Sequence, residues 1–216
     1  MKSTRVEIGC IMIVFIALGA DVEGTWGSPT ASLPNAMARL RIHASGPIRQ
    51  SHVYATPAIG GNQRRTYANA VMCMQTDISP RALLKLLKSL EREAGRRPAG
   101  RWASRPLDLD IVSYGTLING WPPRPRQWQR LSIPHARAHE RAFVLIPLAE
   151  IAPEWRHPVL GVTAEHLLKR AGKRVASQRR RIRLHQDVTA TLTDPRTRFP
   201  SPTLGSLCST RLTKCQ

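Results

Sequence analysis

Aromatic residues are scarce in this chain of 216 residues, at 5%, and acids are scarcer still beside bases, 14 Asp and Glu against 33 Lys and Arg. The first shortage does not deny the chain a core. Hydrophobic residues reach 42%, enough for one domain with a real interior or two very small ones. The second leaves a net charge of +19, which directs the chain toward polyanions: nucleic acid, acidic lipid or phosphorylated small molecules. The excess is uneven. Residues 169–216 hold twelve bases and two acids, Asp187 and Asp194, so +10 of the charge lies there and +9 in the first 168 residues. Only four cysteines occur (Cys10, Cys73, Cys208, Cys215), without the spacing of a zinc knuckle or a compact disulfide framework. Cys10 and Cys73 lie in apolar sequence, where a reduced, packed thiol is expected. Fibrous, collagen-like and disulfide-stapled classes are excluded.

Long apolar runs are also missing. The longest, residues 11–18, is too short to cross a bilayer as a helix. Preceded by Lys2 and Arg5 and followed by Gly19 and Ala20, it has the outline of a signal peptide. Its β-branched and aromatic content, closed by a turn-like Gly-Ala-Asp, reads instead as a fully buried strand. On that reading the chain is expected to be cytoplasmic and free of membrane.

Several catalytic signatures are absent as well. No Gly-x-Ser-x-Gly elbow occurs. Residues 95–100 miss a P-loop because the Lys-Ser/Thr end is lacking and a strand follows. His135 and His139 stand four apart as His-Ala-Arg-Ala-His-Glu, which is not the zinc-protease order.

What is present has a regular plan. After the first strand and a Gly-rich loop, Ser32 or Thr30 is expected to cap a helix over 33–42, with Pro34 in its first turn. Residues 48–56 read as one strand stopped by Pro57 and Gly60-Gly61-Asn62. In 67–76, Tyr67, Asn69, Val71, Cys73 and Gln75 share one strand face. Ser79 caps and Pro80 opens a helix with Leu83, Leu86, Leu87 and Leu90 at helical spacing, ended by Gly95. An Arg-rich loop, 96–105, leads to a strand over 107–114. A Pro/Trp-rich connector, a short helix near 136–141, apolar 142–148 and a helix over 163–170 follow. The order β-α-β-β-α-β is an α+β arrangement of the split βαβ type. Beyond residue 171 the Arg/Ser/Thr/Pro-rich chain is expected to be disordered.

The sharpest chemical feature is Leu107-Asp108-Leu109-Asp110-Ile111. Alternation places both carboxylates on one strand face. Paired hard oxygen donors suit Mg²⁺ completed by substrate phosphates; a solvated acidic edge strand is the plainer alternative. Arg96, Arg97, Arg101 and Arg105 stand just upstream, and acids beside a cluster of arginines suit transfer from a nucleoside triphosphate. Tyr67 and Asn69 set an aromatic ring beside an amide, which suits a flat heterocycle or ordinary core packing.

Six segments together resemble one family. Phe15-Ile-Ala-Leu-Gly-Ala20, Tyr54-Ala-Thr-Pro57, Tyr67-Ala-Asn69, Gly95-Arg96, the stretch from Arg101 to Val112, and the stretch from Ile133-Pro-His135 through Arg141 to Leu145 resemble 6-hydroxymethyl-7,8-dihydropterin pyrophosphokinases, in that family's order. The resemblance implies a ferredoxin-like βαββαβ sandwich with extra strands. It implies pyrophosphoryl transfer from ATP to 6-hydroxymethyl-7,8-dihydropterin in folate synthesis, releasing AMP. Carried over to this chain, Asp108 and Asp110 would hold two Mg²⁺ ions, and Arg96 and Arg105 would close over the phosphates. Tyr67 and Phe143 would sandwich the pterin, with Asn69 and Thr56 on its polar edge. Glu91, Trp102, Arg130, Ser132, His135 and Arg141 match ATP-contacting positions. The expected organisation is an N-terminal extension (1–9), a catalytic domain (10–170) and a basic tail (171–216), as a monomer. Ala136 follows His135 where the family often has Tyr, and Ala20-Asp21 stands where Ser-Asn is common. From another class, the basic run 173–183 suggests a nucleic-acid-binding protein or a weak polyanion-binding accessory to the enzyme. An inactive pterin- or nucleotide-binding relative is a third reading.

Overall fold

A computed structural model describes residues 11–57, 66–98, 103–122, 131–170 and 183–184. The apolar run near the N-terminus is strand β1 (Met12–Ala20) at the middle of a sheet. It pairs antiparallel with β4 (Thr66–Thr76) on one side and β5 (Asp108–Tyr114) on the other. Beyond β4 lie β2 (Ile48–Gln50) and β3 (Tyr54–Pro57), both antiparallel to it. A two-residue strand, β6 (Arg183–Leu184), lines the outer side of β3.

Helices cover both faces. On one, α1 (Pro29–Arg41) and α2 (Pro80–Glu93) pack on the even side of β1 and β4. Val14, Ile16, Leu18, Met72 and Met74 meet Leu33, Leu40, Leu83 and Leu87 there in one core. Leu33, Leu40, Leu83 and Leu87 are fully buried, and burying each such side chain contributes about 2 kcal/mol. On the other face, α3 (Ala142–Ile151) and α4 (Ala164–Arg170) cover Phe15, Val71, Cys73 and Val112. Burial there pushes the free Cys73 thiol up to about 12, with Arg49 opposing.

Four expectations are corrected. Helix α1 starts a turn earlier than the spacing suggests, because Ser28 supplies the cap and Pro29 the first turn, which leaves Pro34 inside the helix. The single strand expected over 48–56 is two strands, separated at Ser51–Val53, where the Ser51 hydroxyl takes the Val71 N–H at 2.9 Å in place of a ladder bond. The short helix near 136–141 is a 3-10 turn over Ala138–Glu140, and the apolar segment after it is a full helix, α3. Within the stretch expected to be disordered, Arg183–Leu184 form β6; the remainder of 171–216 lies outside the described residues, as do Cys10 and 1–9.

A ring cluster fastens the segment after α3 to the sheet. Trp155 lies 6.0 Å from Phe15 by centroid and donates its indole N–H to Ser113 Oγ at 3.0 Å. His157, fully buried, stands 5.8 Å from Trp155, 5.1 Å from Trp121 and 5.5 Å from His139. Its Nδ1 accepts the Val159 and Leu160 N–H groups at 3.3 and 3.2 Å. Its Nε2 is buried without a hydrogen-bond partner among the described residues. Burial, then the nearby His139, pushes its pKa down to about 4.

Candidate active site

Three strands lay out the site floor. Gly19 of β1 stands opposite Asn69 of β4 and also opposite Asp108 of β5; Ala17 likewise lies between Val71 and Asp110. The amide and the acid pair are therefore two inter-strand spacings apart, about 10 Å, across residues with almost no side chain. Little room exists for more, since a Cβ at Gly19 would lie 3.3 Å from Asn69 Oδ1. All these groups face the α3 side. Just past Asp110, β5 bulges at its junction with β1, and the Val112 carbonyl accepts the His135 N–H at 2.9 Å. That tie brings His135 Nε2 to 3.7 Å from Asp110 Oδ2. Nδ1 accepts the Arg137 N–H at 3.2 Å, which leaves the proton of the neutral ring on Nε2, toward the carboxylate. Burial draws His135 below its ordinary value, outweighing the opposing pull of Asp110.

The end of α2 places the arginines. Gly95, at φ +98°, allows a Schellman closure in which the Gly95 N–H bonds the Arg92 carbonyl and the Arg96 N–H bonds the Glu91 carbonyl, at 3.0 and 2.9 Å. The chain turns back, and Arg96 Nη1 reaches Asp108 Oδ1 at 2.6 Å and Glu91 Oε2 at 2.7 Å. Arg105 Nη1 donates to the other Asp108 oxygen at 3.0 Å. Arg105 is itself fixed by Asp21, whose Oδ1 accepts its N–H at 2.5 Å and whose own N–H bonds its carbonyl at 3.1 Å. Burial alone would raise the Asp108 pKa, but the Arg105 and Arg96 guanidiniums outweigh it and hold the carboxyl below the usual range.

Glu91 is almost fully buried. Its Oε1 accepts Lys88 Nζ at 2.6 Å and the Leu109 N–H at 2.8 Å, so one carboxylate anchors β5, Lys88 and Arg96 together. Beside it lies a cavity of about 320 Å³ lined by Lys88, Arg92, Arg96, Arg97 and Arg105, a setting for a polyanionic chain.

The structure thus brings together Arg96, Arg105, Asp108 and Glu91, and sets His135 beside Asp110. Asn69 Nδ2 donates to Thr56 Oγ1 at 2.7 Å, with both residues buried. Tyr67 pairs with Thr56 across the strands and stands on the Asn69 face. Phe143 lies in the first turn of α3, with the Arg141 guanidinium 5.5 Å above its ring. Ser132 Oγ is engaged locally, with the carbonyls of Gly120 and Pro134 at 3.3 and 3.2 Å. Trp102 and Arg130 lie outside the described residues. The sequence reading missed Gly19, Asp21 and Lys88. Alternation along β1 puts Gly19 on the functional face, whereas the roles of Asp21 and Lys88 depend on tertiary contacts.

Among the described residues no three His, Cys, Asp or Glu side chains gather as a metal cage. Asp108 and Asp110 alone present hard oxygens on one face, a donor set that fits Mg²⁺ when phosphates and water complete the shell.

Known proteins resemble this chain in sequence and in fold. Residues 15–153 match the family model described as 7,8-dihydro-6-hydroxymethylpterin-pyrophosphokinase. The 2-amino-4-hydroxy-6-hydroxymethyldihydropteridine pyrophosphokinase of Haemophilus influenzae is 34% identical over 145 residues, 67% of this chain and 84% of that protein. The enzyme of the same name from Synechocystis is 36% identical over 155 residues, covering 71% and 73%. Among solved structures, Plasmodium falciparum HPPK-DHPS with pterin and p-hydroxybenzoate is similar in fold, at TM-score 0.61 and 14% identity over 82% of this chain. The chain spans about half of that protein, 47%.

Proposed function

The chain belongs to the 7,8-dihydro-6-hydroxymethylpterin-pyrophosphokinase family, and from that premise we propose how its site performs the family's reaction. It is a transferase of folate synthesis: the pyrophosphoryl group of ATP passes to the hydroxymethyl oxygen of 6-hydroxymethyl-7,8-dihydropterin. A P–O bond forms at that oxygen, the bond to the α-phosphate oxygen breaks, AMP leaves, and the hydroxyl proton is released. The observation that carries this reading is the row Asn69–Gly19–Asp108 across three strands. It supplies a heterocycle-reading end and a metal-and-phosphate end about 10 Å apart.

At the pterin end, Tyr67 and Phe143 stack the bicycle, and the Asn69 amide, oriented by Thr56, reads its polar edge. At the phosphate end, Asp108 and Asp110 would hold two Mg²⁺ ions, whose charge would offset that of the triphosphate. Arg96 and Arg105 exchange Asp108 for phosphate oxygens as nucleotide arrives. Glu91 keeps Arg96 in reach, while Trp102, Arg130, Ser132, His135 and Arg141 contact ATP. Transfer is direct and in line, and catalysis is positioning plus charge stabilisation. The strand order, with β5 beside β1 and β1 beside β4, supports a ferredoxin-like description of the catalytic domain (10–170). We further take the working protein to be a cytoplasmic monomer, with residues 171–216 an accessory that binds polyanions weakly.

Nucleotide release tests the reading. With ATP and Mg²⁺, AMP formation without ADP is expected only when the hydroxymethylpterin is present, and pterin-independent hydrolysis would refute it. Asp110→Ala is expected to abolish Mg-dependent turnover while preserving the fold by circular dichroism; unchanged turnover would remove the metal assignment.

A further inference from the structure

Glu150 lies near the end of α3, far along the helix from the catalytic row, yet its carboxylate gathers donors from the facing strands. The His52 N–H lies 3.2 Å from both oxygens, His52 Nδ1 lies 2.5 Å from Oε1, and the Tyr54 hydroxyl donates to Oε2 at 2.9 Å. A second tie runs alongside: Arg49 Nη1 donates to the Ile151 carbonyl at 2.8 Å, occupying an acceptor left open at the helix end. The Tyr54 hydroxyl stays a donor, because burial and then the Glu150 charge push its pKa well above the ordinary value.

What these ties hold is decided by the register. Tyr54 pairs with Asn69, and two residues on, Thr56 pairs with Tyr67 and accepts the Asn69 amide. The strand gripped by Glu150 is thus the strand that orients Asn69. The helix bearing Glu150 carries Phe143 seven residues earlier, about 10 Å along its axis. One carboxylate therefore connects the two walls that face each other across the pterin position. A planar ring between two aromatic rings needs a gap of about 7 Å, two contact distances, and small errors in such a gap degrade binding.

We propose that Glu150 is a positioning residue for the pterin half of the site: through Tyr54 and His52 it sets the gap between Phe143 and the β3–β4 wall, on which Tyr67 is the stacking ring and Thr56 and Asn69 stand at the edge. This rests on the reading that the pterin lies between Tyr67 and Phe143 beside Asn69. The proposal separates Glu150 from a mere fold anchor, because the gap concerns one substrate only. ATP sits at the other end of the row.

The test compares full-length wild type with Glu150→Ala, Glu150→Gln, Tyr54→Phe and Asn69→Ala, measuring kcat, KM for each substrate and thermal denaturation. Glu150→Ala is expected to raise the pterin KM about tenfold, with the ATP KM within about twofold. Glu150→Gln and Tyr54→Phe, each removing one leg, are expected to raise the pterin KM about threefold. Should Glu150→Ala fail to fold, Tyr54→Phe decides. An unchanged pterin KM in the Glu150 and Tyr54 variants, or an equal rise in both KM values, overturns the proposal while Asn69→Ala still raises the pterin KM. If Asn69→Ala leaves the pterin KM unchanged, the reading of the pterin site is refuted and the proposal falls with it.

Discussion

His157 makes folding sensitive to mild acid, and the size of the effect follows from its surroundings. The ring is fully buried among Trp121, Trp155 and His139, its Nδ1 is occupied by two backbone donors, and its pKa lies at about 4 against an ordinary 6.5. In the unfolded chain the same imidazole takes a proton near pH 6.5. Between these values the unfolded state binds the extra proton, so stability is lost as pH falls through the window and fully retained above it. A displacement of this size corresponds to about 3 kcal/mol. The perturbation is His157→Asn, whose Oδ1 still accepts the Val159 and Leu160 N–H groups but does not titrate. Urea unfolding at pH 7.5 and 4.5, at equal ionic strength, is the assay. Wild type is expected to lose about 2.5 kcal/mol more than the variant over that interval, which ends just above the folded value, or about 5–10 °C in Tm for a domain of this size. Parallel loss in both proteins would refute the argument, because the acid sensitivity would then come from groups they share, among them the half-buried His135 and His139.

Two further outcomes are expected. A Cβ at Gly24 would fall 2.2 Å from the Ala94 carbonyl oxygen and 2.4 Å from Pro106 Cβ, neither on a flexible side chain, so Gly24→Ala should cost about 3 kcal/mol in chemical denaturation. A wild-type midpoint would show that the turn shifts freely. Glu91→Ala leaves the buried Leu109 N–H unpaired and should destabilise by about 1–3 kcal/mol, whereas Glu91→Gln keeps an acceptor and should lose clearly less; equal losses would locate the effect in the charge instead.

Period-2 patterning revealed much of the site. In 66–76 and in 107–111, before the bulge in β5, residues alternate between two faces, so Asn69 and the Asp108–Asp110 pair are legible as one face each. That they are neighbours across Gly19 depends on pairing register, which no single strand encodes. Helix α2 was legible because Ser79, Pro80 and Gly95 punctuate a strong apolar stripe. Helix α1 was displaced because Ser28, Thr30 and Ser32 all make plausible caps, and the chain uses the earliest, with the Ser28 hydroxyl accepting the Ala31 N–H and Pro29 opening the first turn. Helix α3 is nearly all apolar, so it carries no polar face to show a 3.6-residue period. The Asp21, Lys88 and Glu150 contacts join residues distant in sequence or exposed by pattern, and only the folded chain shows them.

The Leu109 backbone has a consequence beyond the site. Strand β5 ends the sheet on one side, and an open strand edge is a template on which another chain can add. At Leu109 the N–H is taken by Glu91 and the carbonyl lies 3.4 Å from Lys88 Nζ. Two charged side chains from α2 therefore stand where an intruding strand would need to bond. The carboxylate that steadies Arg96 thus also occupies the open edge at Leu109, so one side chain serves both the phosphate end of the site and the closure of the sheet edge.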